Sequence, residues 1–114
     1  MPIRPPKSGP VWMESFKGLF SNTGNGNEIA FKRKYRNVRH VSLTVCLHPE
    51  PGSHFFLLAY AGNDTVYQDS YADSGFYTLQ FDADRWEMGV GASSGACCQV
   101  RYAGTETFFS ALPG

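Results

Sequence analysis

Hydrophobic and polar residues alternate with a period of two from Glu28 onward, and the pattern breaks about every eight to twelve residues. Since successive side chains of a β-strand point to opposite faces, this period predicts strands with one buried face. Short breaks are typical of an antiparallel sandwich or barrel rather than of βαβ units. The predicted strands span about residues 28–36, 39–48, 54–61, 65–71, 75–82, 85–92, 96–103 and 106–112.

The clearest alternation lies in the second predicted strand, and three later strands repeat it. The predicted inward residues are Val41, Leu43, Val45 and Leu47, then Tyr77, Leu79 and Phe81, then Trp86, Met88 and Val90, then Cys98, Val100 and Tyr102. Residues 55–59 have no polar alternates, which predicts that both faces of this strand are covered. Gly89 and Gly91 flank Val90, which indicates a bulge or the close approach of another backbone. We therefore predict an all-β fold, an antiparallel β-sandwich or jelly-roll-like domain of about eight short strands.

The N-terminal region differs from the rest. Residues 1–10 hold four of the seven prolines, which predicts an extended arm. In the next segment, 11–20, the spacing of the apolar residues places them on one face of a short helix, and an extended strand with large anchors is the alternative; these residues are Trp12, Phe16, Leu19 and Phe20. Either form is marginal alone, so these rings must pack against something.

The chain is predicted to divide into two parts. Residues 1–27 form the Pro-rich arm, the apolar anchor segment and a polar loop, and residues 28–114 form the sandwich. Short connections predict hairpins, and one of them, Asp82-Ala83-Asp84, joins the fifth and sixth strands.

One short segment, Asp73-Ser74-Gly75-Phe76-Tyr77, resembles the tyrosine corner of immunoglobulin domains. In that motif a tyrosine near the start of a strand bonds back to upstream backbone. The surrounding residues differ from the family, because Leu79 occupies the place of the second core cysteine and Trp86 follows it. We predict a packing device and no immunoglobulin domain.

Charge is divided between two halves of the chain. Residues 1–40 hold eight Lys and Arg and two acids, whereas residues 41–114 hold two and eight. Such asymmetry indicates an electrostatic partner, either an acidic polymer or a copy of the same protein. The basic contact residues would be Lys32, Lys34, Arg36 and Arg39.

The basic stretch at residues 31–39 has three interpretations. As a strand it places Lys32, Lys34 and Arg36 on one face, with aromatic residues on the other. A nucleic acid could bind there, or the acidic residues of this or another copy, and a solvated edge that blocks aggregation is the third interpretation.

Binding and catalytic sites have less support in the sequence. Cys46, His48 and His54 around one turn are three possible zinc ligands. We nevertheless predict neither a metal nor a cofactor. We predict no enzymatic activity, because nothing in the sequence identifies a desolvated carboxylate that would act as an acid, and the Ser93–Cys98 segment lacks a strand-to-helix elbow. Glycan stacking would use Tyr67, Tyr71 and Trp86.

The leading hypothesis is a non-catalytic structural or assembly subunit that associates with itself or with another structural protein. Viral or phage capsid proteins and capsid-decorating proteins have an arm, a β-sandwich and complementary charges of this kind. The predicted assembly residues are Trp12, Phe16, Phe20, Phe55 and Leu57. The alternatives are a binding module for a glycan or a nucleic acid and, third, a small hydrolase. The sequence shows no signal peptide and no membrane span, so we expect cytoplasmic synthesis and incorporation in a virion or other assembly.

Overall fold

The computed structural model describes residues 11–22, 26–92 and 95–109, and it consists of β-strands joined by short connections. The strands are β1 (Val11–Asn22), β2 (Gly26–Pro49), β3 (Ser53–Ala61), β4 (Asp64–Tyr71), β5 (Gly75–Ala92) and β6 (Cys98–Phe109). They form one hydrogen-bonded sheet in the order β1-β6-β2-β5-β3-β4, and every neighbouring pair is antiparallel.

The sheet folds into two layers because β2 and β5 both bend. Lys34 pairs with Arg85 and Arg39 pairs with Ala83, so four residues of β2 lie opposite the single residue Asp84. An insertion of this kind is a β-bulge, which bends the strand that carries it. Layer A consists of β1, β6, residues 39–49 of β2 and residues 75–83 of β5, and layer B of residues 26–34 of β2, residues 85–92 of β5, β3 and β4.

Aromatic contacts join the two layers. Phe16 of β1 lies 5.8 Å from Phe31 of β2, measured between ring centroids, and 5.8 Å from Trp86 of β5. At the opposite side, Tyr67 of β4 lies 5.7 Å from Phe81 of β5. The strand β1 therefore stacks on the start of β2, and β4 stacks on the start of β5. The all-β antiparallel sandwich is confirmed.

The core contains the residues that the alternation predicts. Its buried members are Val41, Leu43, Val45, Leu47, Phe55, Leu57, Ala59, Leu79, Phe81, Ala83, Trp86, Met88, Val90, Cys98 and Val100. Tyr77 and Tyr102 pack against this cluster and are half-buried. In β3, Phe55 and Leu57 are fully buried, whereas Phe56 and Leu58 are half-buried on the outer face of layer B.

The strand count differs from the prediction because strands continue through three predicted breaks. Both β2 and β5 pass from one layer to the other without ending, and β6 is one strand. The hairpin predicted at Asp82-Ala83-Asp84 is wrong. Ala83 is fully buried within β5, and Asp82 and Asp84 accept hydrogen bonds from their neighbours, Asp84 from the backbone N–H of Gly62 at 2.9 Å. Here Asp marks the polar outer face of a strand rather than a turn.

The anchor segment adopts the extended alternative, and the helix is wrong. Residues of β1 pair with β6 along the whole strand, from Val11 with Phe109 to Asn22 with Cys98. The alternation of β1 directs Phe16 and Phe20 to the core, against which both pack. The Pro-rich arm at residues 1–10 lies outside the described residues.

Two local predictions are confirmed. A bulge lies opposite Gly89, where Ala30 is the extra residue between Ile29 and Phe31 of β2. A Cβ on Gly89 would overlap the carbonyl oxygen of Glu28, so this close approach requires glycine. The predicted tyrosine corner also forms, and the hydroxyl of Tyr77 donates to the carbonyl oxygen of Asp73 at 2.9 Å.

Candidate functional site

A polar network lies at the bend of β2, and its centre is the buried carboxylate of Glu106 on β6. The hydroxyl of Tyr35 donates to Glu106, and the indole N–H of Trp86 donates to the oxygen of Tyr35 at 2.7 Å. Arg39 approaches the carboxylate at 3.2 Å and Arg33 at 3.8 Å. Burial, followed by the bond to Glu106, raises the pKa of Tyr35 well above its usual value, so this hydroxyl remains a neutral donor.

This network serves the fold. A buried carboxylate is costly unless it is paired and hydrogen-bonded, and Glu106 has both kinds of partner. Arg39 also lies 4.4 Å from the ring centroid of Tyr35, and Arg33 lies 5.2 Å from that of Phe31. The bend is therefore fixed by contacts from three strands.

This cluster was not predicted from the sequence, although the strand period contains a signal for it. Inward positions on β6 continue from Tyr102 through Gly104 to Glu106, and Arg33 occupies an inward position on β2 between Phe31 and Tyr35. Two opposite charges at inward positions indicate a buried ion pair, but only the register of the folded sheet shows that they meet.

Both layers are open at both sides. In layer A, β1 pairs only with β6, and residues 75–83 of β5 pair only with β2. In layer B, residues 26–34 of β2 pair only with β5, and β4 pairs only with β3. Within the part of the chain that the structure describes, these four segments have one strand neighbour each.

The open edges form two sides of opposite charge. The basic side consists of β1 and residues 26–34, which stack on each other, and it carries Lys17, Lys32, Arg33 and Lys34 besides Glu14 and Glu28. The acidic side consists of β4 and residues 75–83, and with the turn between them it carries Asp64, Asp69, Asp73 and Asp82. No Lys or Arg occurs from residue 62 to residue 84. The charge asymmetry of the sequence thus becomes a difference in charge between the two sides of the sandwich.

The predicted basic contact residues lie at the basic side and at the bend beside it. Lys32 and Lys34 are exposed and alternate with the half-buried Phe31, Arg33 and Tyr35, as the period predicts. Arg36 is exposed within the bulge, whereas Arg39 is half-buried and bonded to Glu106 and, at 3.4 Å, to Glu14.

The predicted assembly residues pack within the chain itself. Phe55 and Leu57 are fully buried, and Phe16 and Phe20 cover the core from β1. The side chain of Trp12 lies outside the described residues. Exposed apolar side chains lie elsewhere. The large ones among the described residues are Met13, Leu19, Ile29, Val38, Val66 and Phe76.

The residues considered for glycan stacking do not form an exposed platform. Trp86 is buried between the layers, with 2% of its surface exposed. The hydroxyls of Tyr67 and Tyr71 lie 2.8 Å apart, and the Tyr71 ring lies 4.4 Å from that of Tyr77. These rings therefore face the protein rather than solvent.

The residues considered for zinc lie on opposite faces of the sandwich. Cys46 Sγ is 3.6 Å from His48 Nε2 on the outer face of layer A. His54 lies on the outer face of layer B, where its ring covers Gly91. No group of three potential ligands occurs among the described residues. All three cysteines are free thiols, and burial raises the pKa of Cys98 to about 11.

Comparison with known proteins identifies the fold. No family model and no curated protein matches this chain by sequence. A chain from the structure of Bacillus endospore appendages, which are disulfide-linked pili, superposes with a TM-score of 0.63 at 10% identity and covers 96% of this chain and 100% of its own. The infectious bursal disease virus Gx strain gives a TM-score of 0.55 at 10% identity over 90% of this chain and 33% of the viral one. At this identity the likeness establishes the fold. Among the described residues no helix has the length and apolarity needed to cross a membrane.

Proposed function

We propose that this protein is a non-catalytic structural subunit that assembles with copies of itself. The observation that carries the proposal is the pair of open, oppositely charged sides of the sandwich. An unpaired strand edge presents a row of backbone donors and acceptors, and it pairs readily with another chain. Soluble monomers usually cover or shorten such edges, whereas β1 extends for 12 residues with an open edge.

The fold comparison supports this role. The endospore appendage chain, which comes from a structure of disulfide-linked pili, matches from end to end. The viral chain contains the same sandwich as one third of a longer chain. Both belong to assemblies, and the proposal extends that property, and no other, to this chain.

The arm has a place in this proposal. Residues 1–10 precede β1, which is an edge strand of layer A, so the arm starts at an open side of the sandwich. The proline content of this segment predicts an extended conformation with few internal hydrogen bonds. We propose that the arm contributes contacts to a neighbouring copy, whereas Phe16 and Phe20 hold β1 on its own core.

The mass of the purified protein in solution tests the proposal. Size-exclusion chromatography with light scattering should give multimers whose mean mass rises with protein concentration. Deletion of residues 1–10 should lower the mean mass at a given concentration and leave the far-ultraviolet circular dichroism of the sheet unchanged. A chain of monomer mass at every concentration, with and without the arm, would contradict a structural role through self-assembly.

A further inference from the structure

We propose that the basic side of one copy binds the acidic side of the next copy by strand addition, so that both layers continue from copy to copy in an open head-to-tail array. This inference rests on the proposed function and names its interface. Residues 26–34 of one copy would pair with β4 of its neighbour in layer B. In layer A, β1 would pair with residues 75–83 of the same neighbour.

Strand direction permits this pairing between copies that share one orientation, so no half-turn that reverses the strands is needed. Each layer contains four antiparallel segments, so its two edge segments run in opposite directions. When a copy is shifted sideways along the hydrogen-bonding direction, its first edge meets the last edge of its neighbour as an antiparallel pair. Antiparallel pairing holds in both layers at once, because both layers have an even number of segments.

Charge selects this pairing over the alternatives. Two basic sides, or two acidic sides, place like charges against each other, and like-charge juxtaposition suppresses wrong partners. Lys32 and Lys34 on an edge strand are also a known protection against aggregation. That protection acts only between like edges here, since β4 and residues 75–83 carry acids and no Lys or Arg. The charges therefore block symmetric contacts and favour the contact between unlike sides.

The exposed apolar side chains provide an independent observation. All four open segments carry at least one of them: β1 has Met13 and Leu19, residues 26–34 have Ile29, β4 has Val66 and residues 75–83 have Phe76. In the described part of the chain, the segments that lie inside the layers carry no exposed large apolar side chain, and the sixth such residue, Val38, lies in the bulge. Phe76 is the most exposed of them, at 78%. Side chains on the facing strand of a neighbouring copy would lie beside these residues and cover part of their surface.

The geometry sets the size and form of the array. Neighbouring strands are about 4.8 Å apart, so a copy that adds four strands to each layer advances the array by about 19 Å. Contacts between unlike surfaces generate a ring when the rotation between copies closes and a filament when it does not. The progressive twist of a sheet rotates each copy relative to the last, which favours a helical filament.

A charge-reversal experiment tests the interface. The basic-side variant carries Lys32→Glu and Lys34→Glu, and the acidic-side variant carries Asp64→Lys and Asp69→Lys; all four residues are exposed. Each variant alone should assemble at least about tenfold less readily, measured as the concentration at which half of the mass is multimeric. An equimolar mixture should assemble again, because each junction then joins unlike charges.

A matched control keeps the charge change of the single reversal Lys34→Glu and moves it away from the open edges. Arg101→Glu reverses one charge on β6, which has strand neighbours on both sides. This control should assemble like the unmodified chain, whereas Lys34→Glu should assemble less readily. Circular dichroism of every variant verifies the fold, and a variant that unfolds is replaced by the single reversals Lys34→Glu and Asp69→Lys.

Cross-linking identifies the surfaces that meet. Equal amounts of ¹⁴N- and ¹⁵N-labelled chain are mixed and treated with a zero-length reagent that joins amines to carboxylates. Mixed-isotope peptides should connect Lys17, Lys32 or Lys34 with Asp64, Asp69, Asp73 or Asp82. Multimers that persist in both reversal variants, or cross-links confined to the arm, would overturn this interface and leave the proposed function standing. Multimers that contain nucleic acid and dissociate on nuclease treatment would overturn it as well, and monomers throughout would overturn both proposals.

Discussion

At the scale of single residues, the most consequential group is the cluster around Glu106. A carboxylate with 1% of its surface exposed lies among Tyr35, Arg33 and Arg39 at the point where β2 changes layers. Apolar residues could fill this volume, but they would not fix the path of a four-residue bulge. The hydrogen bonds give the bend one geometry, and the relative position of the two layers depends on it.

Removal of the Tyr35 hydroxyl should destabilise the fold. In Tyr35→Phe the indole N–H of Trp86 and the carboxylate of Glu106 both lose a buried partner. Such unsatisfied groups cost about 1–3 kcal/mol each, and the free energy of unfolding in urea should fall by that order. The measurement uses the Lys34→Glu background at low concentration, because assembly would otherwise add to the apparent stability.

Tyr77→Phe is the matched control for this prediction. It also deletes a tyrosine hydroxyl that donates a hydrogen bond, but the acceptor is the exposed carbonyl oxygen of Asp73, which water can satisfy. The expected loss is about 1 kcal/mol or less. Equal losses in the two variants would show that the network at the bend contributes nothing beyond an ordinary hydrogen bond.

At the scale of elements, the period of two predicts which residues face the core but not where strands end. Val41 to Leu47 and Leu79 to Phe81 are buried at alternate positions, as the pattern indicates. The predicted breaks near residues 36–39 and 82–85 are bends within continuous strands. Charged and polar residues signal a turn and a solvated outer face equally well. The two differ only in whether the backbone keeps its partner on the next strand, which is a long-range property.

Gly89→Ala should destabilise the bulge at the start of β2. The added Cβ would overlap the backbone of Glu28 and Ile29, which are held in the ladder and cannot move alone. Overpacking of this kind costs about 1–3 kcal/mol, which exceeds the fraction of a kcal/mol that alanine gains over glycine in chain entropy. Urea unfolding in the Lys34→Glu background again measures the change.

Gly18→Ala separates a backbone obstacle from a side-chain obstacle. There the Cβ would meet the hydroxyl end of the Tyr102 ring, which is half-buried and can rotate. We expect a smaller loss than for Gly89→Ala. A larger loss at Gly18 would mean that the ring of Tyr102 is held more firmly than the bulge, and that β1 is fixed chiefly by the aromatic contacts of Phe16 and Phe20 with that ring.

At the scale of the whole molecule, the sequence reveals the charge asymmetry but not its direction in space. The cations of residues 31–36 and the acids of residues 64–82 are far apart in the chain, and only the sheet order places them at opposite sides of one sandwich. The fold also turns eight predicted strands into two layers with an even number of segments each. A molecule with opposite charges on its two sides, and with edge strands that run in opposite directions, can add copies of itself repeatedly in one direction.

A one-directional array has ends that can be blocked selectively. The basic-side variant with Lys32→Glu and Lys34→Glu retains its acidic side, so it can join the end of a growing filament that presents a basic side. The reversed side of the variant then presents acidic residues to the acidic side of the next copy, and growth at that end stops. Small amounts mixed with unmodified chain should therefore shorten filaments in electron micrographs, with mean length inversely proportional to the fraction of variant. Arg101→Glu should join without this effect. A symmetric contact between like surfaces gives closed dimers, which have no end to block. A lateral sheet of copies has a length that is independent of the variant. A filament length that stays constant would therefore contradict the head-to-tail array.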